Sequence, residues 1–383
     1  MTSFDFRLSI FESGWISILK DMGFDSFLGN PQAVAAVREM LAGGRVPGAL
    51  LFTGPDGVGK RTLALMMAKA MVCERGPADF CDQCARCHKA DQIFATERED
   101  LARRRESKDS ARRVEGLVYF DLQLIEPLTK FILTEQIRQL RSIAYTRPFE
   151  FPRRIFILDE AQAIHWQAVD LLLKVLEEPP ETTSFILICP NAFELRSTIR
   201  SRCLRIAFQP VDQAHIHDLL ARERKLTEPQ KALAARVAAG SVARALTFDP
   251  AEYERRRQPW LDFLDAMVRR GAPGATVDWR LLFDSARALA ENRDDFEGTL
   301  KVGYSLLSDL LHILLNPAAD AVVNVDLSAR LKAWAPKLTL GGIEKLKTGL
   351  DQAYRLQIRN VNPQLGFETM GIEMISGREP GSL

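Results

Sequence analysis

Two stretches of this 383-residue chain hold residue types at spacings that can do chemistry. The first is Gly54-Pro55-Asp56-Gly57-Val58-Gly59-Lys60. In such a loop successive backbone N–H groups turn inward to hold phosphate oxygens, the lysine reaches the terminal phosphates, and glycine is needed where a Cβ would block the approach. A phosphate loop that works on a Mg²⁺–nucleotide follows its lysine with Ser or Thr as a metal ligand. Arg61 stands there and Thr62 comes one residue later, so Gly54, Gly57, Gly59, Lys60, Arg61 and Thr62 read as a nucleotide-binding loop with an altered metal position. A shifted turn that brings Thr62 into place is the other reading. The second stretch is Cys73-x7-Cys81-x2-Cys84-x2-Cys87, a tetrahedral thiolate set in which two overlapping C-x2-C steps turn the chain back on an ion. Four cysteines close the shell, which makes the metal structural and leaves His88 only as a substitute ligand. Zinc suits this spacing better than an iron–sulfur cluster does. Clustering of this kind in a reducing compartment argues for metal over disulfides.

Two further strings are weaker alone. Ile155-Phe156-Ile157-Leu158-Asp159-Glu160 is an apolar strand ending in two acids, which could place one carboxylate near Mg²⁺ and the other near an attacking water. An acid pair after a strand is more often a helix N-terminal charge pair, and it gains weight here from the phosphate loop upstream. Ser201-Arg202-Cys203 follows the basic stretch 196–200, and by composition Arg202 is simply a solvated arginine.

The elements that position these residues follow from the hydrophobic pattern. Ala49 to Phe52 is a short apolar run before the glycine loop, and 62–73 has helical spacing, which is the strand–loop–helix order a phosphate loop requires. Residues 117–124, 155–158 and 184–189 read as further strands, and 31–41 and 134–145 as helices, the latter capped by Thr134. Ala161, Ile164, Ala168, Leu171, Leu172 and Val175 trace one helical face closed by Pro179-Pro180. Residues 88–116, rich in both charge signs, read as a solvated helix or insertion and not as a binding arm. Strands alternating with helices over 25–208 predict a parallel α/β sheet, and beyond about 210 only helices are expected.

A length of 383 residues predicts two or three domains, and 46% hydrophobic with 26% charged residues is a globular profile. Net charge of +1 gives no global case for a nucleic-acid coat protein. No run of roughly 18 apolar residues is present to span a bilayer. The opening segment lacks a basic start and a cleavage site, so a cytoplasmic location is expected; Met22 is an alternative start to Met1.

Taken in order, the glycine loop, the four cysteines, Arg147-Pro148-Phe149-Glu150, Asp159-Glu160, Leu171 to Pro180 (LLLKVLEEPP) and Ser201-Arg202-Cys203 resemble the bacterial DNA polymerase III clamp-loader subunits of the AAA+ class. The string from Arg359 to Leu365 resembles the last helix of their collar domain. The likeness covers about 25–375, leaves 88–116 unmatched, and is nearest to the delta-prime type. It implies a pentameric loader, with tau/gamma and delta subunits, that opens the sliding clamp and places it on primed DNA. It also implies a layout of N-terminal extension (1–24), AAA+ P-loop domain (25–208) with zinc module (73–87) and charged insertion (88–116), helical lid (209–250) and helical collar (251–383). In this family the Ser-Arg-Cys arginine acts in trans, which makes Arg202 an arginine finger for a neighbour's ATP. Departures from the motor subunits accumulate at one site: Arg61 at the metal position, Pro190 at the polar sensor position, and Ala243 where a phosphate-sensing arginine is expected. Asp159 and Glu160 are then vestigial, ATP and Mg²⁺ weakly bound at most, and the chain a stator without efficient hydrolysis. The alternative is an ATP-hydrolysing motor, either tau/gamma or another AAA+ remodeller.

Overall fold

The computed structural model describes residues 23–76, 78–107, 121–268, 278–291, 295–316, 322–359 and 361–376. Nearly all of the expected N-terminal extension, the second part of the charged insertion (108–116), the start of the strand expected at 117–124, and Asn360 of the C-terminal string lie outside them. The described residues form two compact units, one from those up to Ile216 together with Gly240–Ala243 and the other from His217–Ala239 together with those from Arg244 on.

In the first unit, five parallel strands, β1 (Ala49–Thr53), β2 (Leu122–Ile125), β3 (Arg154–Leu158), β4 (Thr183–Cys189) and β5 (Leu204–Ala207), line up in the order β2-β3-β4-β1-β5. The expected α/β core with a parallel sheet is what the structure shows. Strands β1 to β4 are buried along their whole length, because successive side chains point to opposite faces and both faces are covered. Leu50, Phe52, Ile155, Ile157, Ile186 and Ile188 enter one core; Leu51, Phe156, Leu158, Phe185 and Leu187 enter the other, where Phe156 and Phe185 stack 5.2 Å apart. Helices α1 (Pro31–Ala42), α2 (Lys60–Val72), α3 (Ala85–Glu106), α4 (Thr134–Ala144), α5 (Val169–Glu177) and α6 (Ser197–Arg200) complete the unit.

Three local expectations are corrected. Thr134 is the first helical residue of α4 and not its cap; Gln136 reaches back instead, its Oε1 accepting the Leu133 N–H at 2.8 Å. The helix expected from Ala161 begins only at Val169. Before it, two short 3₁₀ turns follow Glu160, whose φ of 51° swings the chain, and residues 163–165 bond to Ile132 as an isolated bridge. The charged stretch opens as a 22-residue helix, α3, that is not wholly solvated: Cys87, Ala90, Ile93 and Glu97 are buried along one stripe.

A buried ion pair braces the loop ahead of β3. Arg154 is 1% exposed, and its guanidinium donates to Asp121 Oδ1 (3.0 Å), to Thr146 Oγ1 (2.8 Å) and to the carbonyls of Ile143, Thr146 (2.7 Å) and Arg147 (3.1 Å). Asp121 Oδ2 in turn accepts the N–H groups of Phe149, Glu150 and Phe151. The Arg147 to Glu150 string is thus held by its backbone, with the Phe149 ring left 90% exposed.

Beyond β5 the elements among the described residues are helices: α7 (Gln213–Glu223), α8 (Glu228–Val237), α9 (Val242–Leu246), α10 (Pro250–Val268), α11 (Trp279–Glu291), α12 (Phe296–Leu315), α13 (Ser328–Trp334), α14 (Leu340–Ile358) and α15 (Gln364–Ser376). In the second unit Trp260, Phe263, Phe296 and Phe367 form an aromatic cluster, edge-on except for the tilted Phe296–Phe367 pair, and the buried Asp309 accepts the Val323 and Asn324 N–H groups. The string from Arg359 falls mostly between α14 and α15, with only Gln364 and Leu365 inside the last helix. No helix among the described residues is long and apolar enough to cross a membrane.

Candidate functional site

The glycine loop joins β1 to α2 as its motif requires. Gly57 has φ 76°, and a Cβ there would lie 2.2 Å from Ser241 Oγ and 2.7 Å from Ala243 Cβ, so no other residue fits this turn without a rearrangement. Gly59, with φ 99°, caps α2, and Phe27 closes the space where its Cβ would go. Lys60 is 6% exposed and folds over the loop, its Nζ donating to the carbonyls of Gly54 (2.5 Å) and Pro55 (2.7 Å). Burial lowers its pKa, with Asp56 and Asp159 opposing.

Because α2 opens at Lys60, Arg61 is its second residue and Thr62 its third. The two side chains leave the helix about 100° apart. Arg61 Nη1 lies 2.5 Å from Glu126 Oε1 and 3.4 Å from Asp159 Oδ2. Glu126 Oε2 takes a second guanidinium, Arg105 Nη2, at 3.1 Å. The other Asp159 oxygen, Oδ1, accepts the Glu160 N–H at 2.9 Å. Burial raises the Asp159 carboxyl above its ordinary value despite the opposing charge of Arg61; Glu160 is raised by burial and by the charges of Asp159 and Glu126.

Mg²⁺ demands near-octahedral oxygen at about 2.0–2.1 Å. Here one Asp159 oxygen is bonded to backbone, the other faces a guanidinium, and the position after Lys60 supplies no hydroxyl. These residues do not fit the ion. The remaining expected contacts are blunted too. The Pro190 carbonyl accepts the Gly54 N–H at 3.1 Å, and Asn191 spends its side chain capping Phe193 N. Ala243 sits directly against the loop, its N–H bonded to the Gly57 carbonyl at 3.1 Å, but offers only a methyl.

Glu126 and Arg105 were not anticipated. β2 and β3 run parallel with Ile125 beside Leu158, which brings the next residues, Glu126 and Asp159, side by side at the sheet's C-terminal edge. An acid directly after an apolar strand was the available signal, and it is readable only once the strand order is known. Arg105 comes from α3, the helix expected to be solvated.

The four cysteine sulfurs lie within 4.8 Å of one another, near the roughly 3.8 Å edges of a tetrahedral zinc–thiolate site. Cys84 and Cys87 are buried, and the Cys87 N–H donates to Cys84 Sγ at 3.4 Å. Burial raises Cys84, but the N–H groups of Glu74 and Cys87 and the neighbouring thiols outweigh it and bring the thiol down to about 6. Burial pushes Cys73 and Cys87 up. Packed thiols of this kind cannot all ionise without a cation among them, so the cluster is a possible metal-binding site. His88 is not part of the group.

Arg202 lies between α6 and β5, one-third exposed, with Nη2 2.5 Å from Glu177 Oε1 and Nη1 donating to the Thr198 carbonyl at 2.9 Å. Glu177 ends α5, so two strings far apart in the chain, Leu171 to Pro180 and Ser201 to Cys203, meet here.

The family model described as "DNA polymerase III, delta subunit" matches residues 29–212. The chain is 28% identical to DNA polymerase III subunit delta' of Bacillus subtilis over 193 residues, covering 50% of this chain and 51% of that protein. It is 27% identical to the gamma subunit of Buchnera aphidicola (from Acyrthosiphon pisum) over 198 residues, 51% of this chain and 48% of that one. To the Escherichia coli tau subunit it is 29% identical over 233 residues, 58% of this chain and 32% of that one. The chain thus spans about half the length of the first two relatives and a third of the third. Among solved structures, a gamma subunit-related protein of Thermotoga maritima is similar at 15% identity and a TM-score of 0.42, covering 90% of this chain and 99% of that chain. Residues 29–212, about half of the chain, are thus similar to clamp-loader subunits of DNA polymerase III.

Proposed function

We propose that this chain is a clamp-loader subunit of the delta-prime type: a stator without efficient ATP hydrolysis of its own, which helps assemble the loader and lends Arg202 to the nucleotide of a neighbouring motor subunit. The observation that carries the reading is the Arg61 guanidinium ion-paired with Asp159 and Glu126, where a motor needs a hydroxyl and a metal ion. Pro190 and Ala243 support it, since neither side chain can sense a phosphate. The partners on this reading are tau/gamma and delta subunits in a pentamer, the sliding clamp, and primed DNA reached through the complex, all in the cytoplasm. The lid (209–250) and collar (251–383) serve assembly, and the four cysteines hold a structural zinc. An arginine finger supplied in trans stabilises charge on a transferring phosphoryl group and raises turnover by about 10³–10⁵.

A second reading, an ATP-hydrolysing motor, is favoured by the retained Lys60, Asp159 and Glu160. ATP turnover by the purified chain, alone and with partners, separates the two. Sustained hydrolysis by the chain alone, stimulated by DNA and clamp and abolished by Lys60→Ala, would show a motor. In the reconstituted loader, Arg202→Ala lowers ATPase and clamp loading while assembly persists; unchanged loading removes the finger role.

A further inference from the structure

We propose that Arg61 is a built-in replacement for a divalent cation: its guanidinium holds the space between Asp159 and Glu126 and keeps Mg²⁺ out of the site. Loss of a hydroxyl ligand would by itself merely weaken a metal site. The arrangement here goes further, because a second carboxylate has been brought in to meet the guanidinium. Glu126 is 3% exposed, and no water can solvate it in place of its partners. It is ion-paired on one side with Arg61 at 2.5 Å, and on the other it accepts a hydrogen bond from Arg105 at 3.1 Å. Asp159 is flanked in the same way, by Arg61 at 3.4 Å on Oδ2 and by the Glu160 N–H on Oδ1. With both carboxyls ionised, the chain Arg105, Glu126, Arg61, Asp159 sums to zero charge without any ion. A dication placed within reach of Asp159 Oδ2 would face a fixed positive charge in a poorly solvated pocket, with Lys60 also nearby. The same geometry states what Arg61 conceals. Without it, Asp159 and Glu126 stand side by side at the ends of β3 and β2, and a serine at position 61 would add a hydroxyl, a donor set suited to Mg²⁺ or Mn²⁺.

This inference concerns the same loop as the proposed function but needs neither partner subunits nor turnover. The stator reading can therefore fail while metal exclusion stands, and the reverse. The test is Mn²⁺ binding to the full-length chain, with the cysteine cluster loaded with zinc, followed by electron paramagnetic resonance of free Mn²⁺. The wild type is expected to show no binding that Asp159→Asn removes. Arg61→Ser is expected to bind one Mn²⁺ at least about tenfold more tightly than wild type, and Arg61→Ser with Asp159→Asn to lose it. A wild-type site that Asp159→Asn abolishes overturns the proposal, as does a folded Arg61→Ser with no gain. If Arg61→Ser does not fold, the wild type and Asp159→Asn decide alone: Mn²⁺ left free by both supports the proposal, and binding that the second loses refutes it.

Discussion

Replacing Arg154 by methionine keeps the unbranched apolar stem of the side chain but deletes a guanidinium that donates to five acceptors: Asp121 Oδ1, Thr146 Oγ1, and the carbonyls of Ile143, Thr146 and Arg147. Both partners of the ion pair are almost wholly buried, so the deleted donors are not replaced by water. Asp121 keeps its three backbone N–H donors on Oδ2, but it loses its ion-pair partner Arg154. Removing one partner of a buried pair costs about 3–5 kcal/mol, a large share of a total stability of about 5–15 kcal/mol. Neighbouring Arg153 is the control: it is half-buried and makes one hydrogen bond to Ser184 Oγ, so Arg153→Met is expected to cost about 1 kcal/mol. Hydrogen exchange of peptides from β3 and β4 reads the α/β unit without averaging over the helical one. The expected loss speeds global exchange there by about 10²- to 10⁴-fold. An acceleration of Arg154→Met no greater than that of Arg153→Met would refute the argument that this pair braces the Arg147 to Glu150 loop.

Two further outcomes are expected. Elemental analysis of the native chain finds about one zinc per chain, and chelation raises exchange in 73–94, where the sulfurs tie the end of α2 to the start of α3; a metal-free chain with unchanged exchange would contradict the thiolate reading. Burial holds the Glu97 carboxyl up to about 8 from its ordinary 4.5, so the folded chain keeps a proton that the unfolded chain releases. Stability therefore declines as pH rises between these values, by up to about 1.4 kcal/mol per pH unit, and Glu97→Gln removes the decline; equal slopes in the urea midpoints of the two proteins would exclude it.

The parts of the fold legible in sequence were those decided by local pattern. β1, β3 and β4 announce themselves as uninterrupted apolar runs. β5 carries no such signal, since Leu204, Arg205 and Ala207 lie at the edge of the sheet and only Ile206 is buried. The inner stripe of α3 was masked by its chemistry: Ala90 is too small and Glu97 too polar to register as core. At the site, Gly54 to Lys60 and the cysteines were read from spacing alone. Glu126 was invisible, because its relation to Asp159 is a property of strand order and register, which no single segment encodes. The pairing of Arg202 with Glu177 is of the same kind.

The position of β1 has a consequence for how the protein is made. Its register partners, Ile186 in β4 and Leu204 in β5, leave the ribosome well over a hundred residues after Leu50 does. At about 5–20 residues per second, the segment that carries the glycine loop waits roughly 7–30 s before either neighbour exists. During that interval Leu50, Leu51 and Phe52 present an apolar strand with two open edges, a form prone to wrong pairing. Closure of the sheet on both sides of the glycine-loop strand thus waits on synthesis of β4 and β5.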